Sequence, residues 1–370
     1  MQSFNLKIGL VIVAGLFTVP RSVKSMECAT TARPVSANTT GALSSALDSY
    51  VDSLAAAGLS GAVLVARNDT VLDARGFGYA NIEKCIRNSD ATLFDIGSIV
   101  KSFTAVGIAQ QIEKGRLKET DPVSRFFKDV PSDKAGITVG QLLTHTSGLQ
   151  SFHDTAGDFE VMSRAEALRR IFSDSLRFAP GTKEAYSNSG YTLLGMILEN
   201  VTGVGLQTYF RNSIFAPSGI KEGWFWGEDR MPEDRVARGY VANDEKGNPA
   251  KWPLTWAGIG ASGIVMDVRD LFRFAKAIDN GVLISRATDQ SMQRFPFRKW
   301  AEGWEVSQTP YGKLVMKGGA SEFGFTGQLR RYVDRGVTVV FLLNSRRNDK
   351  DYPHVEVGPA LADVVFANLH

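Results

Sequence analysis

Ser98 and Lys101 stand three residues apart in the run Phe94 to Ala105, at the mouth of an apolar helix. Residues i and i+3 share a helix face, which brings the Lys101 amine to the Ser98 hydroxyl. Serine becomes a nucleophile when a base takes its proton, and lysine can be that base where burial or another cation disfavours its charged form. Phe94, Ile96, Ile99, Val100 and Phe103 supply the apolar surroundings. The helix N-terminus adds a potential that favours a neutral amine and an alkoxide. The same spacing in Ser218-Gly219-Ile220-Lys221 follows Pro217 in a turn-like stretch and is assigned no chemistry.

Two more segments carry suitable groups. Tyr186-Ser187-Asn188 follows the Pro180-Gly181 turn and precedes a helix starting near Gly190. A tyrosine beside lysines relays protons, and an asparagine amide holds a substrate carbonyl; the structural alternative is a core tyrosine with Asn188 capping the helix. Lys317-Gly318-Gly319-Ala320 ends a strand, where the glycines admit a substrate backbone and Lys317 offers charge to a carboxylate or a tyrosinate. Its alternative is a hairpin with an exposed lysine.

The elements that must position these groups follow from periodicity. Leu43, Leu47, Tyr50, Val51 and Leu54 recur at helical spacing up to Gly58. Residues 61–66 and 71–77 read as strands around Asn68-Asp69, and the helix after Ser98 runs to about Gly115. From there to about residue 290 the pattern is mostly helix and loop, with helices over 164–172, 191–201 and 267–278. Strands return at 303–307, 313–317, 325–333 and 337–343, before an amphipathic helix over 355–369. The expected fold is α+β: one antiparallel sheet built from both termini, flanked by terminal helices, with a mostly helical lobe (about 100–290) inserted.

Composition bounds the function. With 44% hydrophobic and 22% charged residues the chain is globular, and a net charge of +3 gives no footprint for nucleic acid. Arg330-Arg331 and Arg346-Arg347 read as solvated or ligand-facing pairs. Lys7, the apolar run 8–19, Pro20 and the small residues Val23 and Ser25 have the layout of a signal peptide over 1–25, leaving a mature domain over 26–370 that is secreted or periplasmic. The apolar run is short for a membrane span. Cys28 and Cys85 permit one disulfide in an exported protein and read as structural or incidental. His145, His153, His354 and His370 lack zinc spacing, and no G-x-S-x-G elbow is present.

The order S-x-x-K, Y-x-N, K-x-G, with the Leu143-Thr144-His145-Thr146-Ser147-Gly148-Leu149 segment and the Ile214-Phe215-Ala216-Pro217 turn, resembles the serine β-lactamase and penicillin-binding-protein superfamily. The class C branch, which includes D-alanyl-D-alanine carboxypeptidases and esterases, is the most similar. The resemblance implies a serine hydrolase acting without metal or cofactor on a small-molecule or peptide substrate: a β-lactam, a D-amino-acid peptide or a small ester. It implies Ser98 as nucleophile, Lys101 and Tyr186 as proton carriers, and Asn188 positioning the substrate and Lys101. Lys317 would lie across the cleft near Tyr186, with Gly319 and Ala320 binding substrate and the N–H groups of Ser98 and Ala320 forming the oxyanion hole. The third motif departs from the Lys-Thr-Gly of class C β-lactamases by reading Lys-Gly-Gly, and so lacks a hydroxyl that helps bind a β-lactam carboxylate. Asn344 and Arg346 are a further pair, either assisting at the site or lying in a solvated loop. The alternative function is a penicillin-binding receptor without turnover. Oligomeric state is not legible in the sequence.

Overall fold

Along Gly61–Arg67 (β1) apolar residues point both ways: Ala62, Leu64 and Ala66 into one core, Val63 and Val65 into another. A strand buried on both faces must sit inside a sheet with a layer on each side. That is its position in the computed structural model, which describes residues 41–153, 157, 159–294 and 300–369. With Thr70–Phe77 (β2), Glu305–Thr309 (β3), Gly312–Ala320 (β4), Thr326–Tyr332 (β5) and Val337–Leu343 (β6), it forms a six-stranded sheet in the order β3-β4-β5-β6-β1-β2. Every pairing is antiparallel; Gly61 and Thr326 both lie opposite Leu343, and Lys317 lies opposite Leu329.

The two faces differ in their cover. Helices α1 (Ala42–Ala56) and α5 (His354–Asn368) lay Leu47, Val51, Leu361 and Val365 on Val63, Val339 and Phe341. The other face carries α2 (Val100–Glu113), α3 (Asn188–Thr202) and α4 (Val268–Asp279). Residues Val100 to Gln111 of α2 are all buried, so this helix is the centre of the larger core. Its Phe103 ring stacks on Phe274 of α4 with centroids 3.8 Å apart.

The α+β reading of the sequence is what the structure shows, with sheet strands from both ends of the chain and helices between. Several local expectations need correction. The stretch from Gly115 to about residue 290 also holds short strands: Ile264–Met266 pairs antiparallel with both Phe94–Asp95 and Trp224–Phe225, and Gly239–Val241 pairs with Asp244–Gly247. Strands of two or three residues are too short for an alternating pattern to register. Three of the four paired arginines are not solvated. Arg330, Arg331 and Arg346 are buried. Arg331 bonds Asp279 and Asp289, whereas Arg347 lies at the surface against Asp351 and Glu356.

Asn344 is fully buried and structural: its amide donates to the carbonyls of Tyr79 (3.0 Å) and Arg238 (2.8 Å). The expected signal peptide, Cys28 and His370 lie outside the described residues. Cys85 is not a free thiol. Among the described residues no helix is long and apolar enough to cross a membrane.

Candidate active site

The short strand Phe94–Asp95, held by Ile264–Met266, delivers the chain to Ser98. The helix does not start at the serine. A single 3₁₀ turn, Gly97–Ile99, precedes α2, and Gly97 at φ 49° makes the tight entry that a Cβ would strain. Asp95 Oδ1 fixes the turn by accepting from the Gly97 N–H (3.2 Å) and the Trp226 indole (3.1 Å). The i, i+3 relation survives: Lys101 Nζ donates to Ser98 Oγ at 2.9 Å.

From the far side the Tyr186 hydroxyl donates to the same Oγ at 2.6 Å. One serine oxygen thus sits between an amine on α2 and a phenol on the segment leading into α3. Lys101 has no exposed surface, and its Nζ also donates to the Ala261 carbonyl at 2.9 Å. The loop bearing that carbonyl is tied to α2 in turn, since Thr104 Oγ1 donates to Gly260 O at 2.7 Å.

Lys317 is buried on the face of β4 that looks toward Tyr186, its Nζ 5.5 Å from the phenol ring centroid; Lys101 Nζ is 4.9 Å from the same centroid. The end of β4 runs against the serine turn. A Cβ at Gly319 would sit 2.1 Å from the Ile96 carbonyl oxygen and 3.1 Å from the Ser98 nitrogen, so only glycine allows this approach. Ser98, Asn188 and Ala320 line one cavity of about 70 Å³ with Asp95, Phe152 and Trp226. Two larger cavities, of about 730 and 430 Å³, contain none of Ser98, Lys101 or Tyr186, so the site is identified by its chemistry and not by its size.

All seven residues singled out in the sequence therefore come to one place. Asn188 is the first residue of α3, but the cap is Ser187, whose hydroxyl accepts from the Gly190 N–H at 3.0 Å. Position 318 has room: a Cβ there would meet His354 and Gln328 no closer than 3.5 Å.

Sequence reasoning passed over four contributors. Ala261 acts through its backbone carbonyl, which no side-chain motif reveals; the glycines at 258, 260 and 263 were its only signal. Asp95 and Trp226 are far apart in sequence and meet only in the fold. His145, at the left-handed φ of 58°, packs its ring 4.6 Å from that of Tyr186. Its Nδ1 accepts the Ser187 N–H at 3.1 Å, which places the proton of the neutral ring on Nε2. Burial, followed by the charges of Lys317 and Lys101, holds its pKa well below the ordinary histidine value. It braces the Tyr186 segment as a neutral ring.

Among the described residues no cluster of histidine, cysteine and carboxylate side chains could hold a metal. His153 contacts Ser189 and the Trp256 carbonyl.

The family described as Beta-lactamase matches residues 47–362. Penicillin-binding protein 4* of Bacillus subtilis (strain 168) is 30% identical over 318 residues, covering 79% of this chain and 69% of that protein. Among solved structures, the octameric penicillin-binding protein homologue from Pyrococcus abyssi is similar with a TM-score of 0.72 at 26% identity, over 86% of this chain and 80% of that one. The D-amino acid amidase from Ochrobactrum anthropi SV3, complexed with L-phenylalanine amide, is similar with a TM-score of 0.76 at 25% identity, over 88% of this chain and 97% of that one.

Proposed function

The chain belongs to the beta-lactamase family and is a serine hydrolase, and we propose that it works through an acyl-enzyme on Ser98, in the manner of the class C branch, with D-configured amides and peptides as acyl donors. The observation that carries this reading is the placement of Ser98 Oγ between Lys101 Nζ (2.9 Å) and the Tyr186 hydroxyl (2.6 Å).

The steps follow from that placement. Ser98 passes its proton to the Lys101–Tyr186 pair as Oγ bonds to the substrate carbonyl carbon. Burial of Lys101 removes hydration that would hold it charged, and Lys317 across the Tyr186 ring disfavours a further positive charge there. The N–H groups of Ser98 and Ala320 receive the developing oxyanion. As the carbonyl reforms, the C–N bond breaks and the relayed proton goes to the leaving nitrogen. A water then attacks the ester, giving up its proton near Tyr186, and Ser98 regains its own. Asn188 holds the substrate amide, and Lys317 attracts its carboxylate.

The relatives named for penicillin binding and for D-amino acid amides support a D-configured donor, and the small cavity at Ser98 suits a small acyl side chain. The N-terminal pattern supports export, to the periplasm or outside the cell. The test is kcat/KM for a D-alanyl-D-alanine peptide, D- and L-alaninamide, benzylpenicillin and p-nitrophenyl acetate. The expected outcome is a preference of about tenfold or more for D- over L-alaninamide, equivalent to about 1.4 kcal/mol in the transition state. Equal use of both enantiomers, with fast ester turnover, would make the protein a general esterase. A penicillin adduct that forms and persists, with no turnover of any amide, would make it a receptor.

A further inference from the structure

Strand β4 has a second face. Lys317 and Gly319 turn toward Ser98, while Leu314 and Met316 pack on the α5 side, where Gly318 also looks toward His354. On the neighbouring strand β5, Gln328, Arg330 and Tyr332 share that side. Between these strands and α5 lies a cavity of about 430 Å³, separate from the catalytic cleft and within the size range of small-ligand sites.

We propose that this cavity binds a small monocarboxylate with an unbranched apolar tail, with Arg330 as the carboxylate's partner. Arg330 is 4% exposed. Its guanidinium donates to the Tyr332 hydroxyl (3.1 and 2.9 Å), to Gln328 Oε1 (2.7 Å) and toward Met316 Sδ (3.5 Å), all of them neutral. Among the described residues no carboxylate reaches it.

The other buried arginines of the sheet show how unusual this is. Arg331, pointing the opposite way from the next position, is bonded by Asp279 and Asp289, and Arg75 by Asp73 and Asp48. A desolvated cation is costly without an anion, and a bound carboxylate supplies one. Tyr332 accepts both of its bonds from Arg330, which leaves its own O–H to donate beside the guanidinium. The first turn of α5 adds favourable potential.

The rest of the lining is suited to a tail. Leu314, Met316, Pro359 and Ala362 line the cavity. Two carboxylates also line it: Asp363, exposed and accepting the Tyr311 hydroxyl at 2.8 Å, and the half-buried Glu305. Their charges oppose an anion beside them, so within the cavity the place for a carboxylate is at Arg330. A Cβ at Gly358 would lie 2.7 Å from Arg330 Nη1, so the close approach of α5 to the guanidinium depends on glycine there.

The test uses protein carrying ¹³C-methyl methionine, with the Met316 signal assigned through Met316→Leu, titrated with octanoate and with octanamide. Octanoate is expected to shift the Met316 methyl and to bind about tenfold more tightly than the amide, a difference of about 1.4 kcal/mol. Arg330→Gln is expected to abolish that preference. Val355→Trp, at an exposed position on the cavity wall, is expected to weaken both ligands about tenfold while leaving thermal unfolding unchanged. Should Arg330→Gln fail to fold, the acid-to-amide comparison and Val355→Trp decide. Equal binding of acid and amide, no shift at millimolar octanoate, or binding insensitive to Val355→Trp would each overturn the proposal. The titration is run also on Ser98→Ala protein, where an unchanged result separates this site from the cleft and from the proposed acyl-enzyme.

Discussion

Ser98 Oγ accepts at once from an amine on a helix and a phenol on a loop, so the reaction is sensitive to single atoms. Removing the phenol oxygen with Tyr186→Phe leaves the ring against His145 and Lys101 but deletes the proposed proton carrier. The expected effect is a fall in kcat of about 10²- to 10⁴-fold with KM little changed, read from steady-state kinetics on the best substrate. Gly319→Ala forces a methyl into the Ile96 carbonyl and must push β4 away from the serine turn. Activity should drop about 100-fold or more while the protein still folds, consistent with the cost of displacing a single oxyanion donor. Gly318→Thr meets no such obstacle, but its side chain would turn to the α5 side with His354 and Gln328, so affinity for benzylpenicillin should be unchanged. Glu302 carries a pH dependence. Burial, with Glu119 adding repulsion, raises its pKa from 4.5 to about 7. Between those values the folded protein binds the proton that the unfolded chain has lost, so the stabilisation is complete below about pH 4.5 and is lost as pH rises to 7. Glu302→Gln should therefore gain stability over the wild type between pH 5 and pH 8, by on the order of 2–3 kcal/mol in urea unfolding. A pH-independent difference would assign the shift to another group.

At the scale of elements, α2 positions the chemistry and is itself positioned by polar side chains in an apolar core. Ser102 donates to Gly303 O at 2.8 Å and Thr104 to Gly260 O at 2.7 Å. Thr104→Val keeps the shape and strands a buried carbonyl, at a cost of about 1–3 kcal/mol. Because the same loop offers Ala261 O to Lys101, kcat should fall as well; stability loss with an unchanged kcat would show that the loop does not orient the lysine. The same elements explain what was legible beforehand. Helical and alternating periodicity marked the terminal helices, the sheet strands and the i, i+3 pair, because side chains express those periods. The Ala261 carbonyl was hidden because every residue has one. The burial of Arg331 was hidden because its carboxylates come from residues 279 and 289, remote in sequence, and the exposed reading of arginine pairs is the default. The strand Ile264–Met266 was hidden by its brevity.

The whole molecule is a sheet closed from both ends of the chain, with β4 facing the cleft on one side and the Arg330 cavity on the other. Arg331 is a buried ion that joins β5 to α4 and to the helix Arg286–Met292. Arg331→Met leaves the buried Asp289 with the Gln293 amide (3.0 Å) but no cation, and should cost about 3–5 kcal/mol in chemical unfolding, with activity retained while the protein is folded. A loss below about 1 kcal/mol would mean that water reaches the aspartates. The fold, the family and the meeting of Ser98, Lys101 and Tyr186 converge on one claim, that Ser98 is acylated. Intact-mass spectrometry of the purified protein over time after adding benzylpenicillin, beside Ser98→Ala, tests it most directly. The account predicts an adduct of the added mass in the wild type alone, mapped to the peptide containing Ser98; an adduct that persists in Ser98→Ala, or one mapped to another residue, would contradict it.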